Sequence, residues 1–243
     1  MFLLPPGSLA GAVPGSPVIV DGAEGRHAVA VHRLRVGERV LVCDGAGTRA
    51  DVEVTGLDRH TLLARVIDVE VSCAPEPRFI LVQALAKGDR DESAVEAATE
   101  LGVDVVVPWQ AARSVVQWRE DRAARGRDRW EAVAVAATKQ SRRFRVPQVR
   151  PLARTADVLA VVKAASLGLA LHEAGRETLA SIDLPTAGEV VLIVGPEGGL
   201  DDTELAGFAA AGAHTVRLGP EVLRTSTAGP AALAVLNSRG RWA

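Results

Sequence analysis

The chain has 243 residues, 48% of them hydrophobic and 24% charged, with a formal net charge of −2. That length suits one large domain or two small ones and buries a core without disulfide staples. Cys43 and Cys73 form no CxxC pair, no run approaches eighteen apolar residues and the proline-rich start lacks a basic n-region, so a metal site, a disulfide framework, a membrane span and a secretory signal are not expected, and a cytoplasmic location is.

Residues 1–72 read as a small, mostly β module. The runs RVLVCD (39–44), ADVEV (50–54) and TLLARVIDVEV (61–71) are β-rich and are broken at Asp44-Gly45 and Thr55-Gly56, while 27–35 reads as one short helix. Residues 45–50 fit GxGxxA after a strand. A dinucleotide-binding loop needs a helix next, and the run continues as β, which weakens a hydride-transfer reading.

The segment SCAPEP (72–77) breaks regular structure and marks a boundary, giving domains 1–72 and 73–243. Beyond it strands and helices alternate. Strands are expected at 79–85, 103–109, 167–172, 189–195 and 214–219. Helices are expected at 92–102 with Gly102 past the end, at 129–140, 156–165 and 201–211, and from about Thr227. Continuous apolar strands between helices argue an α/β fold with a parallel sheet covered on both faces.

Charge is uneven. From Arg113 to Arg154 there are twelve Arg or Lys against four Asp or Glu, a local net of +8, so the remainder carries −10. Such a patch suits a localised anionic partner, and equally a solvated arginine-rich helix face.

Ligands of parallel α/β sheets sit beyond the carboxyl ends of strands. Here three strands end in unusual sequence: Leu171-His172-Glu173, GPEGGL (195–200) and Leu218-Gly219-Pro220. Asp201 and Glu204 form a capping box for the helix after GPEGGL, which leaves Glu197 inside the glycine loop unexplained. In LGPEVLRTSTAGPAAL (218–233) the hydroxyls of Thr225, Ser226 and Thr227 can cap a helix with Pro230 in its first turn, and Arg224 is left without a structural task. The five histidines have no ligand spacing, and only His172 lies at a strand end.

VLIVGPEGGL (191–200) and LGPEVLRTSTAGPAAL strongly resemble the ribosomal RNA small subunit methyltransferase E family of the knotted SPOUT class. The likeness extends through ATELGVDVVVPW (98–109), Arg113, KQSRRFRVPQVRP (139–151) and LRVGERVLVCDG (34–45), nearly the whole chain. It implies a PUA-like RNA-binding β-barrel followed by a SPOUT domain with a deep trefoil knot, an exception to the rule against threaded chains. It implies a homodimer that uses S-adenosyl-L-methionine to methylate N3 of one uridine in 16S rRNA of the assembled 30S subunit. The donor would lie against Leu171, His172, Gly195, Leu218, Gly219 and Leu223, with Glu197 and Gly199 shaping the loop and Arg224 and Ser226 facing the reacting centre. Arg113, Lys139, Gln140, Arg142, Arg143 and Arg145 would meet RNA. Three positions depart from the family: Lys139 stands where an acid is common, Ser141-Arg142-Arg143 replaces a small-Gly-Arg run, and Phe2-Leu3-Leu4 lacks a basic residue.

Methylating N3 requires its proton to leave, so a base or an anion-stabilising cation is needed. Arg224 is the expected cation and Glu197 the base candidate. The competing readings are a SPOUT methyltransferase acting on tRNA or a ribose 2′-hydroxyl, and a non-catalytic RNA-binding assembly factor.

Overall fold

A computed structural model describes residues 1–119 and 121–242. The chain divides into two units: Met1–Ala74 with Thr138–Val146, and Pro75–Ala137 with Pro147–Ala243.

The first unit holds β1 (Phe2–Leu3), β2 (Pro17–Val20), α1 (Gly22–Arg26), β3 (Arg39–Cys43), β4 (Thr48–Leu57) and β5 (Leu62–Val71). They form a five-stranded sheet in the order β1-β3-β4-β5-β2, antiparallel except for β1 with β3. Alternate residues Ala50, Val52 and Val54 of β4 enter the core beside Val42, Leu62 and Val66, the period-two pattern of a half-buried strand. Thr55-Gly56, expected to be a turn, lies inside β4, where register shifts beside Val52 and Gly56 bend the strand without ending it. Helix α1 and the π-helical turn His27–Val31 that continues it begin before the expected 27–35 segment. Gly22 and Gly25 are poor helix formers and hide the start from propensity. Gly25 is required by packing, since a Cβ there would stand 2.3 Å from the His60 carbonyl oxygen. The GxGxxA run is a hairpin turn: the Asp44 carboxylate accepts the N–H groups of Ala46 and Thr48, each at 2.9 Å.

Residues 138–146 complete this unit. Lys139 pairs with Glu24 at 2.6 Å. Arg145 donates to the carbonyls of Ala46 and Ser72, and the Arg49 guanidinium lies 4.1 Å above the Phe144 ring. Arg142 follows the end of a helix at φ +56°, in the left-handed region that glycine usually fills.

The second unit holds β6 (Arg78–Ala84), α2 (Arg90–Glu100), β7 (Val105–Trp109), α3 (Asp121–Ser141, whose last four residues are grouped with the first unit), β8 (Gln148–Val149), α4 (Thr155–Ala164), β9 (Leu167–Leu171), β10 (Glu177–Thr178), β11 (Glu189–Val194), α5 (Asp202–Ala210), β12 (Ala213–Arg217) and α6 (Thr225–Ser238). Its seven strands run in the order β10-β12-β9-β11-β6-β7-β8, and every pairing is parallel. Each sheet face has its own core: Leu81, Leu192, Val194 and Leu233 on one, Ile80, Val191, Ile193 and Phe208 on the other. Burial on both faces is why these strands read as unbroken apolar runs. Helix α3 begins eight residues before the expected Arg129, through a polar stretch without apolar periodicity. The Trp118 ring anchors it, packed against Gly126 and 5.3 Å from Trp130. Arg122, Arg125 and Arg129, spaced i, i+3 and i+7, are exposed on one face of α3.

A side chain in the left-handed conformation costs about 1 kcal/mol relative to glycine. Arg142→Gly is therefore expected to raise the melting temperature by about 2–4 °C in thermal denaturation.

Candidate active site

The carboxyl ends of β6, β9 and β11 emerge on one sheet edge, and the N-terminus of α6 returns to it. There they enclose a cavity of about 510 Å³ lined by Leu171, His172, residues 195–200, Leu223, Arg224 and Thr225, with Arg90 and Arg113 at its wall. A recess of about 80 Å³ shares Leu171, His172 and Leu223 with it and adds Leu218 and Gly219. Nine of the ten expected donor contacts thus gather at two adjoining hollows. The tenth, Ser226, lies half-buried in the first turn of α6 and lines neither.

The glycine loop is held from beneath. The expected capping box forms: Asp201 accepts the Glu204 N–H at 2.6 Å, and Glu204 accepts the Asp201 N–H at 3.1 Å. Glu204 is almost fully buried, and its second oxygen accepts the Ala112 N–H at 2.8 Å. That fixes the segment carrying Arg113, whose guanidinium donates to the carbonyls of Gly198 and Leu200 at 3.1 and 3.2 Å. Gly199 turns at φ +71° and donates its N–H to the Pro196 carbonyl, a conformation a side chain would strain.

Glu197 closes the loop from the side. It pairs with Arg90 at 2.7 Å and accepts the Lys87 N–H at 3.0 Å. Burial pushes its carboxyl up, but its own backbone N–H, the Arg90 guanidinium and the Lys87 N–H outweigh this and hold it below the usual carboxylate range. A carboxylate so held is a weak proton acceptor, and the geometry makes Glu197 a tie between the loop before α2 and the glycine loop.

Arg224 stands at the N-cap of α6, exposed, and its side chain has no partner among the described residues. A cation there opposes the helix dipole, so stability does not account for it. The hydroxyls that follow do not cap the helix as expected. The N-cap makes no side-chain hydrogen bond, and Thr225 is buried instead, donating to the Gly195 carbonyl at 2.9 Å and accepting from Gln83 Nε2 at 2.9 Å. Helix α6 starts two residues before the expected Thr227, so Pro230 falls in its second turn. His172 Nδ1 accepts the Ala174 N–H at 3.1 Å. Among the described residues no group of three or more His, Cys, Asp or Glu is placed to hold a metal.

The residues expected to meet RNA divide between the two units. Arg113 serves the glycine loop in the second unit. Lys139, Gln140, Arg142, Arg143 and Arg145 belong to the first, where Lys139 and Arg145 are engaged internally while Gln140 and Arg142 are exposed. Arg90 and Gln83 escaped sequence reasoning, and Thr225 was legible only as a helix cap. Arg90 meets Glu197 across 107 positions and Gln83 meets Thr225 across 142, and no local pattern announces either pair.

Residues 74–237 match the model of an RNA methyltransferase domain, and residues 20–67 that of an RNA methyltransferase PUA domain. The chain is therefore built of an RNA methyltransferase domain preceded by a PUA-like unit. Ribosomal RNA small subunit methyltransferase E of Mycobacterium bovis is 44% identical over 93% of this chain and 88% of its own length, and that of Bacillus subtilis 30% identical over 90% and 88%. The crystal structure of a ribosomal RNA small subunit methyltransferase E from Neisseria gonorrhoeae bound to S-adenosyl methionine superposes with a TM-score of 0.86 at 29% identity, covering 98% of this chain and 97% of that one. The chain belongs to the ribosomal RNA small subunit methyltransferase E family.

Lowering of the Glu197 pKa on folding makes its tie a source of stability above the unfolded carboxylate value, lost as pH falls through the folded one. The wild type is expected to melt about 1–3 °C above Glu197→Gln at pH 7, a small margin because Arg90 is half exposed. That margin should begin to shrink as pH falls through the ordinary carboxylate range of about 4 and vanish only below the lowered folded value, in paired melting curves.

Proposed function

We propose that the protein transfers a methyl group from S-adenosylmethionine to N3 of one uridine in 16S rRNA, acting in the cytoplasm on the assembled 30S subunit as a homodimer with a knotted second domain. The observation that carries the reading is the cavity on which the glycine loop and Arg224 converge. It fits such a donor. Glycine backbone and the apolar side chains of Leu171, Val194 and Leu223 suit an adenosine ring, and Arg90, Glu197 and Arg224 supply charge for its polar end. Val222, 77% exposed at the cavity rim, and Trp242, 59% exposed, are apolar side chains that a second copy would cover.

When bound, S-adenosylmethionine supplies a methyl group already activated by its sulfonium. The chain's own tasks are alignment of the nucleophile, worth up to about 7–11 kcal/mol of barrier, and stabilisation of the uracil that has lost its N3 proton. Arg224 does the second: its unpaired guanidinium at the positive end of α6 places two sources of positive potential at the cavity. Glu197 keeps the loop in place and does not accept the proton.

Small subunits from a strain lacking the gene, incubated with protein and donor and digested, should contain 3-methyluridine by mass spectrometry. Another modified nucleoside alone would reject the assignment. Arg224→Ala should lower kcat about 10²- to 10³-fold in the same assay; unchanged turnover would remove Arg224 from the chemistry.

Exposed Arg122, Arg125 and Arg142 are the cations best free to meet rRNA phosphates. Each phosphate contact adds about 0.7–0.9 to the slope of log affinity against log salt. The triple change to Gln should therefore flatten that slope by about 2–3 in binding titrations, and an unaltered slope would place the RNA elsewhere.

A further inference from the structure

Gln83 has no exposed surface, and it lies within an all-parallel sheet, in register with Val194 on one side and Pro108 on the other. Its Nε2 donates to Thr225 Oγ1 at 2.9 Å and to the Ala84 carbonyl at 3.3 Å, while Oε1 has no partner among the described residues. Burying an amide with one unsatisfied oxygen is unfavourable, and a leucine would fill the same space without that penalty. Stability therefore does not explain the residue.

Its partner does. Because Gln83 donates into the Thr225 oxygen, the hydroxyl proton of Thr225 is left to point at the Gly195 carbonyl, 2.9 Å away. Gly195 opens the glycine loop directly after β11, and Thr225 directly follows Arg224. One hydrogen-bonded chain thus joins the end of β6, the start of the loop and the first turn of α6, and both Gly195 and Thr225 line the cavity.

We propose that Gln83 and Thr225 are positioning residues for methyl transfer, whose chain to the Gly195 carbonyl sets Arg224 and the glycine loop at a fixed relation to each other. The proposal rests on the role given to Arg224 above. A displacement of about 1 Å at a reacting centre can lower the rate about 10²-fold, so a lost hydrogen bond here reaches kcat without unfolding the protein.

The test uses the full chain, S-adenosylmethionine and small subunits from the deletion strain, with kcat, KM and melting temperature measured for each variant. Gln83→Leu should melt at or above the wild-type temperature, because it removes the unpartnered oxygen, and should lose about 10- to 100-fold in kcat with little change in KM for RNA. Thr225→Val should lose the same, Thr225→Ser should restore wild-type turnover, and the Gln83→Leu/Thr225→Val double change should be no worse than either alone, as for residues that act as one unit. Wild-type kcat in both single variants, or a double loss equal to the product of the single losses, overturns the proposal. If Gln83→Leu does not fold, Thr225→Val against Thr225→Ser decides alone. Arg224→Ala run beside them separates the two ideas. Loss in Arg224→Ala with none in Gln83→Leu and Thr225→Val ends this proposal and keeps Arg224. Loss in the latter two with none in Arg224→Ala ends the role of Arg224 and keeps the chain as the support of the glycine loop.

Discussion

Seven strands that run the same way bring all their carboxyl ends out on one edge, and no hairpin can tie that edge together. Apart from the short step from β9 to β10, the chain leaves these ends through loops that lead into helices, and the backbone groups of those loops need partners other than the sheet. The second unit meets this requirement with side chains from distant parts of the sequence. Buried Glu204 takes the N–H groups of Asp201 and Ala112, Arg113 takes the carbonyls of Gly198 and Leu200, and Thr225 takes that of Gly195. The cavity is the space these ties leave open, so its shape depends on the same bonds that satisfy the edge.

Charge at the cavity is divided by function. Arg90 and Arg113 are spent on Glu197 and on loop carbonyls, while Arg224 alone of the three has no partner among the described residues. A guanidinium left unpaired at the positive end of a helix is a standing demand for negative charge. In the function proposed above, a uracil without its N3 proton answers that demand.

Much of this was legible in sequence where the determinants are local. Continuous apolar strands, the Asp201–Glu204 box and the glycine after α2 depend on neighbours within four residues, and they appear where their patterns place them. The residues of the cavity were legible as strand ends, but their partners were not. Glu197 meets Arg90 across 107 positions, and Thr225 meets Gln83 across 142. Thr225 carries the signature of a helix cap and is diverted because burial offers it the Gly195 carbonyl instead. The early part of α3 was missed because its arginine-rich turns lack an apolar stripe and are held by one tryptophan on one glycine. The two-residue strands β1, β8 and β10 are too short to carry any periodicity.

The segment 138–146 has a temporal meaning. It supplies Lys139 to Glu24 and Arg145 to the carbonyls of Ala46 and Ser72, so the first unit is assembled from two stretches of chain separated by 63 residues of the second. Proteins leave the ribosome N-terminus first, at about 5–20 residues per second. For several seconds of synthesis the first 74 residues wait with Glu24 and the hairpin turn lacking Lys139 and Arg145, and the N-terminal unit closes only when residue 146 has emerged. For the same reason a fragment cut at the boundary between the two matched family models lacks part of its own wall, and a variant at Lys139 or Arg145 weakens a unit that begins more than a hundred residues upstream.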